Sequence, residues 1–165
     1  GKAVNRAGEE VRTGTTAVRA IGTTDQHAQV QLFREGPHDK LITLVRLEEA
    51  TEDLEIPAVA GLEALDYLFG RSFFELLSAE AKATAHALAK AHQPNFAFVL
   101  ERLDAYTLGW LMQHLMWQTA FLGELWGINA FDQPGVELGK EYTYALMGRK
   151  GYELLAEELK AEGVE

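Results

Sequence analysis

The chain has 165 residues, enough for one domain or for part of a larger protein. Its formal net charge of −10 argues against nucleic acid or an anionic membrane as the main partner, because both bind basic surfaces. There is no cysteine, so no disulfide framework points to secretion, and we expect a cytoplasmic protein. The most apolar stretch, residues 108–128, is interrupted by polar side chains and is too polar to predict a membrane span.

The first part of the chain is predicted to be mostly irregular. Three glycines and several threonines make Arg6 to Thr24 loop-like, with a brief strand or turn at Ala17 to Ile21. Asp25 is then a suitable N-cap, and Gln26 to Arg34 is predicted to form a short helix that Gly36-Pro37 ends.

Two buried strands are predicted further along, at Lys40 to Leu47 and at Phe96 to Leu100, because both runs are rich in β-branched or aromatic residues. Between them, Leu65 to Leu77 has apolar residues at helical spacing. Ser78, or a residue near it, is the predicted cap of a long alanine-rich helix from Ala79 to about His92.

The last part of the chain is predicted to be helical, over Asp104 to Trp126, Pro134 to Met147 and Tyr152 to Ala161. The first of these helices is apolar on two sides, which predicts burial on both sides within a core or at an interface. Strands that alternate with helices indicate an α/β fold with a parallel sheet flanked by helices. Two strands are few for a free-standing sheet, so we expect an incomplete subdomain.

The first candidate site lies where a polar loop enters the helix at Pro134. The free N–H groups and positive dipole end of a helix N-terminus attract anions. Gln133 precedes that terminus, and Lys140 lies two turns further on the same face, with Glu137 placed to hold either of them. The residues alone leave two interpretations open, a solvated capped helix or a site for an anionic ligand.

The second candidate is His27, which follows Asp25 in the first turn of a short helix and has glutamines around it. Such a histidine could act as a general acid or base, and a plain surface or capping role stays open as well. The other four histidines are expected to be structural or solvated. No histidine pair has the spacing of a zinc or iron site, so neither kind of site is predicted.

Both candidates match motifs of one known family. Residues Gly123 to Lys140, with Asp132-Gln133-Pro134-Gly135-Val136-Glu137 near their end, resemble the second signature of the phosphoglucose isomerase family. Thr24 to His27, followed by Gln31-Leu32, resembles the bacterial form of the segment that holds the family's ring-opening histidine. Leu103 to Gly109 also resembles bacterial members. The resemblance spans nearly all of residues 1–165, which would form the second sugar-isomerase subdomain and the C-terminal helices.

The resemblance implies a role for three residues. His27 matches the histidine that opens the sugar ring by proton transfer at the ring oxygen, Lys140 matches the lysine near that oxygen, and Gln133 matches a glutamine that lines the substrate site. The family interconverts glucose 6-phosphate and fructose 6-phosphate in glycolysis and gluconeogenesis. It does so through a cis-enediol with a glutamate base, without a metal or organic cofactor, and its members are usually dimers.

The resemblance also implies partners beyond this sequence. The family's glutamate base lies in a Glu-Ser-x-Gly-Lys stretch, and the chain begins Gly1-Lys2, so we expect it to start three residues after the base. The phosphate-binding loop and the arginine near the enediolate would likewise belong to an N-terminal remainder of the enzyme. The chain alone is therefore expected to be inactive. Two other functions stay open: a non-catalytic sugar-phosphate-binding module, and an interaction domain built on the helix Asp104 to Trp126.

Overall fold

A computed structural model describes residues 1–164 of the chain. They divide into two compact units, Thr16–Met116 and a second unit made of Gly1–Thr15 with residues 117–164. The regular elements in chain order are β1 (Lys2–Val4), β2 (Glu10–Thr13), α1 (Gln31–Glu35), β3 (Ile42–Leu47), α2 (Phe73–Lys90), β4 (Asn95–Leu100), α3 (Ala105–Leu125), α4 (Pro134–Leu146) and α5 (Glu153–Ala161). A π-helical turn, Gln26–Val30, precedes α1, and a 3₁₀ helix, Glu63–Leu68, precedes α2.

The unit Thr16–Met116 is built on a parallel pair of strands. Strand β3 pairs with β4 in register from Ile42 opposite Asn95 to Leu47 opposite Leu100. Helix α2 forms the crossover between the two strands and packs on both, which buries Leu88 and Leu100. The predicted α/β fold with a parallel sheet flanked by helices is therefore confirmed.

The start of α2 was predicted wrongly. The helix begins at Phe73 rather than at Ala79, because Ser72 rather than Ser78 is its N-cap. The Ser72 hydroxyl accepts a hydrogen bond from the Glu75 backbone N–H at 3.0 Å, and the Glu75 carboxylate accepts one from the Ser72 N–H at 3.2 Å. This reciprocal capping box satisfies two N–H groups that the first helical turn would otherwise leave free.

The end of α2 gives His92 a structural role. The residue has a backbone φ of +57°, in the left-handed region, immediately after the last turn of the helix. The N–H of Gln93 donates to the carbonyl of Leu88 at 3.0 Å, and the N–H of His92 donates to that of Ala89 at 3.0 Å. These two bonds form a Schellman motif that reverses the chain into β4. The structural role expected for His92 agrees with this position.

The predicted helix over Gln26 to Arg34 is present as the π-helical turn followed by α1, and it ends before Gly36 as expected. The predicted capping role of Asp25 is wrong. Asp25 already has helical backbone angles, and its carboxylate accepts a hydrogen bond from the N–H of Ile21 at 2.6 Å, on the preceding segment. The brief strand or turn suggested for Ala17 to Ile21 is also wrong, since those residues are irregular.

An antiparallel hairpin near the N-terminus was not predicted. Strands β1 and β2 pair with Lys2 opposite Thr13 and Val4 opposite Glu10, so the loop predicted from Arg6 onward contains a strand at Glu10–Thr13. Strands of three and four residues are too short for a periodicity of two to stand out in the sequence. The turn between them includes Gly8, whose φ of +83° suits a residue without a Cβ atom.

Helices α3, α4 and α5 lie close to their predicted bounds. Helices α4 and α5 pack together, with Ala145 and Leu159 buried. On α3, Leu111 is buried, whereas Trp110, Trp117 and Phe121 are 50%, 60% and 67% exposed. Burial of α3 on both sides is therefore not found within residues 1–164, and burial at an interface stays a prediction.

Candidate functional site

The candidate site is the segment that leads from the end of α3 to the start of α4. Helix α3 ends in a Schellman motif, in which the N–H of Ile128 bonds to the carbonyl of Gly123 at 2.9 Å and Gly127 has a φ of +63°. A Cβ atom on Gly123 would lie 2.7 Å from the Cβ of Ala130, too close for any real side chain. Two glycines of the motif therefore allow the loop to fold back tightly against the helix that it leaves.

Gln133 is the residue from which α4 starts. Its backbone carbonyl accepts a hydrogen bond from the N–H of Val136 at 3.0 Å, and Pro134 is the first helical residue, as predicted. The Gln133 side chain makes no capping hydrogen bond and is exposed. Its amide is therefore available to a ligand at the positive end of the α4 dipole.

Lys140 lies on α4, where Glu137 holds it. The Glu137 Oε1 and Lys140 Nζ atoms are 2.6 Å apart, one turn of helix from each other, and both side chains are more than half exposed. The hydrogen bond from Lys140 to Glu137, and then the charge of Glu137, raise the pKa of Lys140. Glu137 was placed by the sequence to hold either Gln133 or Lys140, and the structure shows its contact with Lys140. The ammonium is thus kept charged on the helix that Gln133 begins.

Two residues at the N-terminal hairpin β1–β2 bind the loop between α3 and Gln133, and the sequence did not predict these contacts. Lys2 forms an ion pair with Asp132 at 2.8 Å and also donates a hydrogen bond to the Asp132 backbone carbonyl. Arg6 binds the carboxylate of Glu124 through both of its Nη atoms, and its backbone N–H donates to the Gly127 carbonyl at 2.7 Å. Both ends of the loop are therefore attached to the first six residues.

These ion pairs shift the acidity of their carboxylates. The hydrogen bond from Lys2 lowers the pKa of Asp132, and the hydrogen bond from Arg6 lowers the pKa of Glu124. Both effects outweigh the raising effect of partial desolvation, because each carboxylate accepts a hydrogen bond from a cation. Nothing in the sequence pattern joins residues so far apart, and only the folded hairpin brings them together.

His27 lies in the other unit, Thr16–Met116, on the π-helical turn, with its side chain exposed. Within residues 1–164 no hydrogen bond or ion pair joins it to Asp25, whose carboxylate binds the Ile21 backbone instead. π-helical turns are rare and often occur at functional sites, and this one carries the predicted ring-opening residue.

A cavity of about 370 Å³ lies beside the π-helical turn in the same unit. Asp25 and Gln26, which precede His27 in the chain, line one wall, while residues along β3 and residues of α2 line the others. The α2 residues include Phe74, Leu77, Ala81, Thr84 and Leu88, and Phe33 of α1 also lines the cavity. The cavity is thus largely apolar, with a few polar groups next to His27 in sequence.

Among residues 1–164, no cluster of three or more histidine, aspartate or glutamate side chains is arranged to bind a metal ion. No helix in this described part combines the length and apolar character that crossing a membrane requires.

Comparison with known proteins assigns the chain to a family. The model of the family described as phosphoglucose isomerase matches residues 1–153, a range that includes His27, Gln133 and Lys140. The chain belongs to the phosphoglucose isomerase family. Within this family, it is 65% identical over 140 residues to a glucose-6-phosphate isomerase of Thermus thermophilus, a match that covers 85% of this chain and 33% of that protein.

The chain is also similar to a second curated relative and to a solved structure. The glucose-6-phosphate isomerase of Carboxydothermus hydrogenoformans is 49% identical over 154 residues, which is 93% of this chain and 33% of that protein. A crystal structure of a hypothetical protein from Thermus thermophilus superposes with a TM-score of 0.82 at 63% identity, over 87% of this chain and 34% of that one. The chain spans about a third of the length of the curated relatives that it matches.

Proposed function

We propose that the chain is the C-terminal part of a glucose-6-phosphate isomerase, which interconverts glucose 6-phosphate and fructose 6-phosphate. Membership of the phosphoglucose isomerase family supports the reaction, and the names of the relatives support the substrate. The observation that carries the proposal is the arrangement of two side chains on α4. The Gln133 side-chain amide makes no capping bond at the helix N-terminus, and the Lys140 ammonium is held further along the helix by Glu137. A helix N-terminus and a cation together suit the oxygen atoms of a polyhydroxylated anion.

In this proposal, three residues divide the binding and ring-opening work. Gln133 lines the substrate site and donates hydrogen bonds to sugar hydroxyls or accepts them. Lys140 stabilises the oxygen that becomes charged as the ring opens, because a fixed cation is most effective where charge develops. His27 transfers the proton at the ring oxygen, a step for which imidazole is suited near neutral pH. A proton is then transferred between C1 and C2 of the open sugar, with a cis-enediol as the intermediate.

The glutamate base for that carbon proton is proposed to lie in the part of the enzyme beyond this sequence. The chain covers only a third of its relatives, which leaves room for that base and for a phosphate-binding loop. Exposed apolar side chains on β3, β4 and α3, such as Val45, Val99 and Trp117, suit a surface that the rest of the enzyme or a second subunit covers. We therefore propose a dimeric, cytoplasmic enzyme of which this chain is the second sugar-isomerase subdomain with its C-terminal helices.

A reconstitution experiment tests this function. The isolated chain is mixed with fructose 6-phosphate, and glucose 6-phosphate is measured by a coupled assay. We expect no isomerisation by the chain alone and restored activity when the N-terminal remainder is added. A matched sample in which the chain carries Lys140→Met should not be restored, which excludes contaminating isomerase. Turnover by the chain alone that Lys140→Met abolishes would show that the base lies within this sequence. A complete enzyme without isomerase activity would refute the function itself.

A further inference from the structure

The side chain of Lys2 makes an unusual double contact with a single residue. Its Nζ atom forms an ion pair with Asp132 Oδ1 at 2.8 Å and donates a hydrogen bond to the backbone carbonyl oxygen of the same residue. Only 12% of the Lys2 side chain is exposed, whereas 55% of the Asp132 side chain is exposed. Lysine can bury its alkyl stem while the ammonium stays at the surface, and a packed stem restricts the positions that the ammonium can reach. The contact is therefore an ordered one rather than a passing surface pair.

The carbonyl that Lys2 binds belongs to the peptide bond between Asp132 and Gln133. A peptide unit is planar, so a restraint on its oxygen also restrains the nitrogen and Cα atoms of the next residue. That next residue is Gln133, from which α4 starts and whose side-chain amide makes no capping bond. The peptide precedes the first helical residue, so the hydrogen bonds of α4 do not fix its plane. Lys2 holds it from the hairpin.

We propose that Lys2 is a positioning residue, which sets the direction of the Gln133 side chain by fixing the Asp132–Gln133 peptide. This inference rests on the proposed function, in which Gln133 binds the sugar. Lys2 does not itself contact the substrate in this account. Its removal leaves Gln133 in place but lets the peptide plane rotate, so the amide samples directions that do not meet the sugar hydroxyls.

A purely structural role for Lys2 would predict loss of stability when Lys2 is replaced, whereas the positioning role does not. The other end of the loop is attached independently, through Arg6 to Glu124 and to the Gly127 carbonyl. The turn at the end of α3 is closed by its own backbone bonds. Removal of the Lys2 side chain should therefore leave the loop attached and the fold intact. The variant should show slower substrate turnover but no lower stability against unfolding.

The test is a double-mutant cycle in the complete isomerase, with the variants Lys2→Met, Gln133→Ala and the two combined. We expect Lys2→Met to lower kcat/KM about 10- to 100-fold, the range that misplacement of a binding group by about an ångström produces. If Lys2 acts through Gln133, Lys2→Met should change kcat/KM less than about threefold in the Gln133→Ala background, because neighbouring residues that act as one unit are not additive. The matched control is Arg12→Met, an exposed residue on the same hairpin that pairs with Glu10, and it should leave kcat/KM unchanged.

Three results would decide the question. Full activity of Lys2→Met, or equal fold losses with and without Gln133, would overturn the positioning role. If Lys2→Met does not accumulate as folded enzyme, the cycle is carried out with Lys2→Gln, which keeps a donor for the carbonyl but no charge. Additive losses of kcat/KM in that cycle would again overturn the proposal. Failure of the proposed function looks different, since Gln133→Ala would then have no effect on isomerisation or the wild-type enzyme would show none.

Discussion

Glu137 accepts a hydrogen bond from Lys140 at 2.6 Å and thereby raises the pKa of the lysine that we propose to assist ring opening. A raised pKa keeps the ammonium protonated to higher pH. The variant Glu137→Gln removes the charge, so the pKa of Lys140 falls and the lysine loses its proton earlier as pH rises. In the complete enzyme, we expect the alkaline limb of the kcat profile to move to lower pH.

The control for this prediction is Glu141→Gln on the same helix. It makes the same change in net charge, but a residue adjacent in sequence does not face Lys140 across the helix surface. Its alkaline limb should stay at the wild-type position. An unmoved limb in Glu137→Gln, measured over the pH range in which the enzyme remains folded, would contradict the role assigned to the charged Lys140.

His27 is the subject of a second prediction. If it transfers the proton at the ring oxygen, His27→Ala in the complete enzyme should slow turnover of the closed sugar about 10²–10⁴-fold, the usual contribution of a general acid or base. A substrate supplied in its open-chain form bypasses that step and should lose much less. His38→Ala, a histidine outside the site, is the control. Equal losses on closed and open substrates would remove His27 from ring opening.

A third prediction concerns the stability of the Thr16–Met116 unit. Ser72→Ala removes the hydroxyl that caps α2 and should lower the free energy of unfolding by about 0.5–2 kcal/mol. Ser78→Ala, further along and inside the helix, should be neutral or slightly stabilising, since alanine has the higher helix propensity. Chemical denaturation of both variants of the complete enzyme distinguishes the two serines. A larger loss from Ser78→Ala would mean that α2 starts at Ala79 rather than at Phe73.

Asp104 supplies a prediction about pH. Hydrogen bonds from the Thr107 backbone N–H, at 2.8 Å, and from Arg102 lower the pKa of Asp104 to about 2. In the unfolded chain the pKa of an aspartate is about 3.9. The folded pKa is the lower one, so the stabilisation is complete above about pH 4 and is lost as pH falls towards about 2.

The measurement is thermal unfolding of the wild type and of Asp104→Asn between about pH 2 and 6. The variant should unfold at lower temperature than the wild type near the upper end of this range, and the gap should narrow as the solution is acidified through the window between the two pKa values. Asp66→Asn, at an aspartate with no capping or ion-pair role assigned to it, should show no such narrowing. A gap that stays constant with pH would show that the Asp104 carboxylate has no special acidity.

The fold was predictable where a local pattern decides it. The parallel strands β3 and β4 are indicated by runs of β-branched and aromatic residues, and the start of α4 by Pro134, a favourable first helical residue. The start of α2 was missed because two serines compete, and only Ser72 has a glutamate three residues later to complete a capping box. The hairpin β1–β2 was missed because its strands are too short to show a period.

The site was predictable in part and for a similar reason. Glu137 and Lys140 are one helical turn apart, so their contact follows from the helix alone. The partner of Asp25 did not follow, because the carboxylate binds the backbone N–H of Ile21 on the irregular segment before it. Lys2 could not have been found from its sequence context, since its contact with Asp132 exists only after the hairpin has folded.

The contact between Lys2 and Asp132 joins residues 130 positions apart, and this separation has a kinetic consequence. Closing so long a loop costs chain entropy before the contact contributes any favourable free energy. We therefore expect this contact to form late in folding. The turn between Gly123 and Ile128 is closed locally and can form as soon as α3 does. A newly made enzyme would therefore complete its helices first and acquire an oriented Gln133 afterwards, so regained activity should lag behind regained helical signal.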